Sequence, residues 1–399
     1  MPTSAMVRPR PEHSRADLLK AYLPGSFFYS SPGGCLLADG VRARVEVPAE
    51  GRSAAVAEAL AAARDDGHPD PVVVGALGFE PDAPSTLVVP SVVRWAGLAA
   101  GNTGRRWPDA PGAAADWTVE HEPTAEGYAE SVQRALELID AGVLEKVVLS
   151  RRVRLSADRP VEVPLLLERL VHADPMAHAF AVDVSTPADD AIRTLLGASP
   201  ELLVNRRGEV VITNPLAGSA PRSADPAEDH RRAQALLHSE KDRHEHGFVV
   251  DQIGEVLGRY CGELVVPAEP HIIGTATMWH LSSRISGRLV DRGVSALDLA
   301  EALHPTPAVC GVPLAGARTV IGELEDAERG YYSGLVGWSA EDGDGEWVVT
   351  IRCAEAYRRT LTLYAGAGVV DGSSPEAELA ETTAKLRTLL RAIGTSEAL

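Results

Sequence analysis

The stretch AGVLEKVVLSRRVRL (residues 141–155) decides the architecture. Upstream of it Tyr128, Val132, Leu136 and Ile139 recur at helical spacing, and Gly142 stands where a left-handed C-terminal cap falls. The chain then runs directly into a Val- and Leu-rich segment with alternating polar residues, which predicts a strand starting at Lys146. The same reading places strands in RTLLGAS (193–199), ELLVNRRGEVVITN (201–214), EWVVTIRCAEAYR (346–358) and RTLTLYAGAGVV (359–370). Several are joined by short polar turns that suit antiparallel neighbours. Helices are predicted in the alanine-rich segment around 52–65, at 295–303, and from Ser374 and Pro375 to about Ile393. Asp225, Pro226 and Glu228 form a further start signal, for a helix or helix pair running to about Tyr260. Runs of strands between long helices, without regular βαβ alternation, make this an α+β protein with a large, mostly antiparallel sheet system flanked by helices.

A chain of 399 residues buries a large core, as one big domain or two moderate ones. Residues 1–20 read as a flexible N-terminal arm. Residues 21–123 form the N-terminal part of the α+β domain, with apolar runs PVVVGALGF (71–79) and STLVVPSVVRW (85–95). Gly and Pro punctuate 101–123, a surface connection, and 124–395 carry the site. Lys and Arg total 38 against 56 Asp and Glu, a formal charge of −18. Nucleic acid and anionic membranes repel such a surface, so neither is an expected partner, and an anionic substrate needs a local positive pocket. The four cysteines show no CxxC spacing and read as buried thiols in a reducing compartment. With no signal-type N-terminus and no run of 18 apolar residues, the expected location is the cytoplasm.

Charged residues then gather on particular faces. At about 100° per residue, Glu378, Glu381 and Lys385 fall within a sector of roughly 60° on the last helix, beside an apolar stripe of Leu379, Leu386 and Leu390. On an isolated helix that is an ordinary i, i+4 pair. Here it follows AGAGVVDGSSPE (365–376), which brings Gly366, Gly368 and Gly372 to a helix N-terminus where free N–H groups favour an anion. No GK[ST] follows, so a nucleotide site is not supported. Asp242 and Glu245 share a face of another helix; with Glu378 and Glu381 they offer the hard oxygen ligands that Mg²⁺ takes. His244 and His246 are two apart and HExxH is absent, which argues against zinc. Lys146 and Glu201 are the candidate base and acid, roles that need a lowered and a raised pKa respectively. Taken singly, each also fits a strand-edge lysine or a turn residue after Pro200.

Six motifs in order, KVVLSR, GASPELLV, PLAGSAPR, SEKDRHEHGFVVDQ, HPTPAVCG and AGAGVVDGSSPEAELAETTAK, resemble the chorismate-utilising enzymes over roughly residues 125–393. That group includes isochorismate, salicylate, anthranilate and aminodeoxychorismate synthases. The resemblance implies two large, mostly antiparallel sheets packed face to face with helices on the outside. It implies that Lys146 activates water, that Glu201 protonates the departing hydroxyl, and that Glu245 and Glu381 bind Mg²⁺ with Asp242 and Glu378 in an outer set. Arg352 and Lys385 resemble carboxylate-binding residues, and the backbone at Gly218, Ser219, Gly366 and Gly368 completes the pocket. Ser219 replaces the usual threonine and keeps its hydroxyl. Tyr332 falls near the enolpyruvyl group, and Val309 and Cys310 match siderophore-type isochorismate synthases. Ammonia-using members replace the activating lysine, and some carry a lysine nucleophile where this chain has Ala217. Water is therefore the implied nucleophile, chorismate the substrate, and the implied protein an Mg²⁺-dependent isochorismate synthase, an isomerase, monomeric and without an obligate protein partner. The alternatives are a salicylate synthase, an ammonia-using anthranilate- or aminodeoxychorismate-type synthase, and a non-catalytic chorismate-binding homologue.

Overall fold

The computed structural model describes residues 13–46, 50–97 and 117–394. They form a ten-stranded and a nine-stranded sheet, with a small three-stranded sheet at one side. Every pairing between named strands is antiparallel. Lys146–Ala157 pairs with Thr360–Val370 along eleven residues in the ten-stranded sheet, and Leu202–Arg207 lies between Val210–Asn214 and Gly345–Val349 in the nine-stranded one. The N-terminal part contributes to both: Phe27–Ser31 and Gly34–Asp39 to the first, Ala43–Val45 and Val72–Leu77 to the second.

Strand alternation makes the layers. Phe27, Tyr29, Leu36 and Ala38 point to the inter-sheet core, where they meet Val72, Val74, Ala76, Val336 and Trp338 of the other sheet. Phe28 and Leu37 point the other way, into a core with Leu167, Leu386 and Leu390 from helices Val163–Ala173 and Pro375–Ile393. Val73 and Leu77 likewise face Val56, Leu60, Val249 and Ile253 from helices Arg52–Asp65 and Glu240–Gly258. The sheets are thus packed face to face with helices outside. Burial on both faces explains why strands such as Val72–Leu77 read as unbroken apolar runs.

What positions the site is the way strands leave one sheet for another. Arg193–Ser199 belongs to the ten-stranded sheet and Leu202–Arg207 to the nine-stranded one, so Glu201 lies on the crossing. Gly345–Val349 and Cys353–Tyr357 cross in the opposite direction, with Arg352 between them at a φ of 52°. EWVVTIRCAEAYR is therefore two strands. The crossings are stitched together: Ser199 Oγ donates to the Val349 carbonyl at 2.6 Å, and the Val349 amide donates to the Glu201 carbonyl at 3.2 Å.

Two expectations need correction. The arm expected over 1–20 ends in a helix, Arg15–Ala21, in which Ser14 and Asp17 cap each other and Leu18 and Leu19 are buried; residues 1–12 lie outside the described residues. In the connection expected over 101–123, Trp117–Glu122 is a strand paired with Arg152–Ala157, while 98–116 lie outside the described residues. The other predicted helices match: Arg52–Asp65, Ala125–Asp140 with Gly142 at a φ of 72°, Pro226–His238 and Glu240–Gly258 joined at Ser239, Ala296–Leu303, and Pro375–Ile393 capped by Ser374; Val163–Ala173 and Leu314–Leu324 are helices the sequence reading did not predict. The four cysteines are buried and free. Among the described residues no helix is long and apolar enough to cross a membrane.

Candidate active site

Lys146 opens its strand fully buried, and its Nζ lies 2.9 Å from Glu245 Oε1 on the helix Glu240–Gly258. The contact is electrostatic, since Nζ makes no aligned hydrogen bond. The neighbouring strand supplies room by omission. A Cβ at Gly368 would sit 2.2 Å from Glu245 Oε1 and 3.1 Å from Lys146 Cε, and one at Gly366 would sit 2.8 Å from the Tyr332 hydroxyl. Close approach, not backbone conformation, requires these two glycines.

The last helix presents the predicted carboxylate face to this region. Lys385 Nζ lies 2.6 Å from Glu381 Oε1 and donates to the Gly366 carbonyl at 2.8 Å. Ser219 Oγ donates to Glu381 Oε1 at 2.9 Å, so the hydroxyl kept at this position has a partner. Burial pushes the Glu381 carboxyl up, but Lys385 and Ser219 outweigh it and hold it below its ordinary value. Glu378 goes the other way, raised by burial and by the charge of Glu381, although Lys241 donates to it at 2.9 Å. Burial, and then the charge of Glu245, also raises Asp242, which packs against Gly218 at a φ of 76°.

Glu201 is 2% exposed, and burial pushes its carboxyl up to about 7 against the pull of a backbone N–H and of Lys146, Arg352 and Lys385. Glu201, Gly218, Ser219, Glu245, Val309, Tyr332, Arg352, Gly366, Gly368, Glu381 and Lys385 all line one cavity. Lys146, Asp242 and Glu378 stand behind that lining, the first against Glu245 and the second against Gly218. Tyr332 is held by stacking on Tyr364, with ring centroids 5.1 Å apart.

Sequence reasoning missed two residues here. Lys241 pairs with Glu378, and its position one turn before Glu245 was the available signal. His280, on Met278–Ser282 in the small sheet, lines the cavity with a buried Nε2 that has no hydrogen-bond partner; burial keeps its ring neutral. Nothing in MWHLS marked it. His246 is taken up by Ser283 Oγ at 2.8 Å and His244 lies edge-on to Phe248, so neither points to zinc. His304 bonds the Ser333 carbonyl at 2.8 Å and closes its turn.

A sequence profile of chorismate binding enzymes matches residues 101–394. The chain belongs to the chorismate-binding enzyme family. Within the family it is 48% identical over 390 residues to isochorismate synthase DhbC of Bacillus subtilis, covering 96% of this chain and 97% of the relative. It is 39% identical over 370 residues to the vibriobactin-specific isochorismate synthase of Vibrio cholerae, covering 92% and 91%. Its fold superposes on the crystal structure of DhbC from Bacillus anthracis with a TM-score of 0.90 and 42% identity, covering 95% of this chain and 99% of that one. For a family defined by chorismate, a dianionic ring compound, the cavity offers two cations, Arg352 and Lys385, on its wall and a protonatable carboxyl, Glu201, between the sheets.

Proposed function

We propose that the protein is an isochorismate synthase that moves the hydroxyl function of chorismate from C4 to C2. Lys146, as the amine, takes a proton from the water that attacks C2, while Glu201 gives its proton to the C4 hydroxyl as that leaves as water; one water is consumed and one released. Arg352 and Lys385 hold the two carboxylates, the Gly218–Ser219 backbone closes one side, and Val309 and Tyr332 shape the apolar side. The observation that carries this reading is a buried lysine and a carboxyl raised to about 7 beside one cavity whose wall includes Arg352 and Lys385. A general acid with that value is half protonated at neutral pH, near the optimum for its task. The names of the relatives support the product.

Mg²⁺ fits this site. With Glu201 protonated as the acid and Lys146 neutral as the base, four carboxylates, Asp242, Glu245, Glu378 and Glu381, meet three cations, Lys241, Arg352 and Lys385, and a dianionic substrate adds two more negative charges. Among the described residues no group of three or more His, Cys, Asp and Glu could hold a metal ion by itself. Mg²⁺ takes one or two protein carboxylates and completes its shell with water and substrate oxygens. Glu245 and Glu381 would hold it, with Asp242 and Glu378 behind them. When bound it offsets the repulsion between substrate and carboxylates.

The test is the product of purified protein with chorismate and Mg²⁺, resolved by chromatography. Isochorismate alone supports the reading. Salicylate with pyruvate makes the protein a salicylate synthase, an aminated product dependent on ammonium makes it an aminating member, and binding without turnover makes it a silent homologue.

A further inference from the structure

The strand that begins with Lys146 has a gap along one edge. Gly311–Val312 pairs with its first two residues, and Trp117–Glu122 pairs with it from Arg152 onward. Between these partners the Val148 carbonyl and the Ser150 amide face the same edge with no strand among the described residues beside them; a cavity of about 500 Å³ opens there, lined among others by Glu122, Ser150, Arg152 and Tyr364. Two side chains from the segment after helix Leu314–Leu324 take the missing partner's place. Arg329 Nη2 donates to the Val148 carbonyl at 2.7 Å, and Glu325 Oε1 accepts from the Ser150 amide at 2.7 Å. The two are locked together, Nη2 to Oε1 at 2.5 Å and Nε to Oε2 at 2.9 Å, with side chains only 3% and 7% exposed.

The same guanidinium reaches into the active-site wall. Its Nη1 donates to the Val309 carbonyl at 2.7 Å, and the Arg329 carbonyl accepts from the Tyr332 amide at 2.9 Å. One residue therefore touches the strand carrying Lys146, the turn carrying Val309 and the segment carrying Tyr332. We propose that Arg329 is a positioning residue: with Glu325 it replaces a missing strand and fixes Lys146, Val309 and Tyr332 relative to one another. The inference rests on the proposed role of Lys146 as the base. A lysine at 329 could not do the same, because an ammonium is a point donor while the planar fork serves two carbonyls and both oxygens of a carboxylate at once.

The experiment compares wild type with Arg329→Lys and Glu325→Gln by steady-state kinetics with chorismate and by peptide-level amide hydrogen exchange. Arg352 and Lys385, which hold the substrate, are untouched, so loss of alignment should appear in kcat. For Arg329→Lys we expect kcat to fall at least tenfold with KM within threefold, and exchange to quicken in 147–151 and 308–311 while the other segments stay as protected as in wild type. Glu325→Gln, which keeps an acceptor for Ser150, should show a smaller fall in kcat with the same local pattern of exchange. The proposal is overturned by a folded Arg329→Lys with unchanged kcat, or by losses of activity and protection spread over the whole chain in proportion to unfolded protein. If Arg329→Lys does not fold, Glu325→Gln decides: kcat within twofold of wild type and unchanged exchange overturn it. Should wild type fail to make isochorismate, the functional reading falls, while exchange at 147–151 still decides the strut.

Discussion

Lys146 Nζ lies 2.9 Å from Glu245 Oε1, and the Gly368 backbone packs so closely beside them that a single methyl group would strike the carboxylate. Gly368→Ala should therefore force the pair apart. A displacement of about 1 Å at a reacting group costs on the order of 100-fold in rate, and we expect kcat to fall at least tenfold with the fold intact by circular dichroism. Gly247→Ala is the control: it lies on the same helix as Glu245 with nothing within 4 Å of its added methyl. It should raise the melting temperature slightly, by the roughly 0.5–1 kcal/mol that alanine gains over glycine in a helix, and leave kcat alone. Equal activity in the two variants would remove the packing argument.

Removing the proposed base is a more direct test. General-base catalysis contributes about 10²–10⁴-fold, so Lys146→Ala should lose at least 100-fold in kcat. Because Arg352 and Lys385 remain, chorismate should still bind, measurably by calorimetry. Wild-type turnover in Lys146→Ala would sink its assigned role.

Glu201 predicts two pH dependences of different kinds. As the proposed acid it must carry its proton, so kcat/KM should decline above about pH 7, the value to which burial raises it. In stability, a carboxyl whose folded value lies above its ordinary 4.5 contributes fully below about 4.5, and that contribution is lost as pH rises through about 7. Glu201→Gln is neutral at every pH. It should be inactive, yet melt a few degrees above wild type at pH 8, an advantage that shrinks toward pH 5. A wild type whose melting temperature relative to Glu201→Gln is flat between pH 5 and 8 would contradict the raised value.

If Mg²⁺ offsets the excess of negative charge in the loaded site, chelation should stop turnover and readdition should restore it. The same balance predicts that chorismate binds more weakly without the ion, and that the ion binds more weakly without chorismate. Full activity in excess chelator excludes the metal from the mechanism.

Much of this site was legible because helix and strand periods carry side chains to predictable faces. Glu378, Glu381 and Lys385 share a face by arithmetic alone, and Lys385 does meet Glu381. Local capping chemistry was equally readable at Ser374 and Asp225. What stayed hidden depends on where the chain goes after a strand ends. EWVVTIRCAEAYR gives no local sign that it changes sheets at Arg352. His280 and Arg329 gain their roles from partners far away in sequence, such as Val148, 181 residues from Arg329. The short helix Arg15–Ala21 was obscured by the Pro- and Arg-rich residues before it, although Ser14 and Asp17 spelled a cap.

The crossings at Glu201 and Arg352 have a consequence for how activity is acquired and lost. Neither residue belongs to one sheet, so neither reaches its place until both sheets exist and have docked in register. Catalytic competence is then a property of the docked pair, and no fragment containing one sheet can show a weakened version of it. During thermal or denaturant melting, turnover should vanish with the first loosening between the sheets, while most backbone pairing still survives.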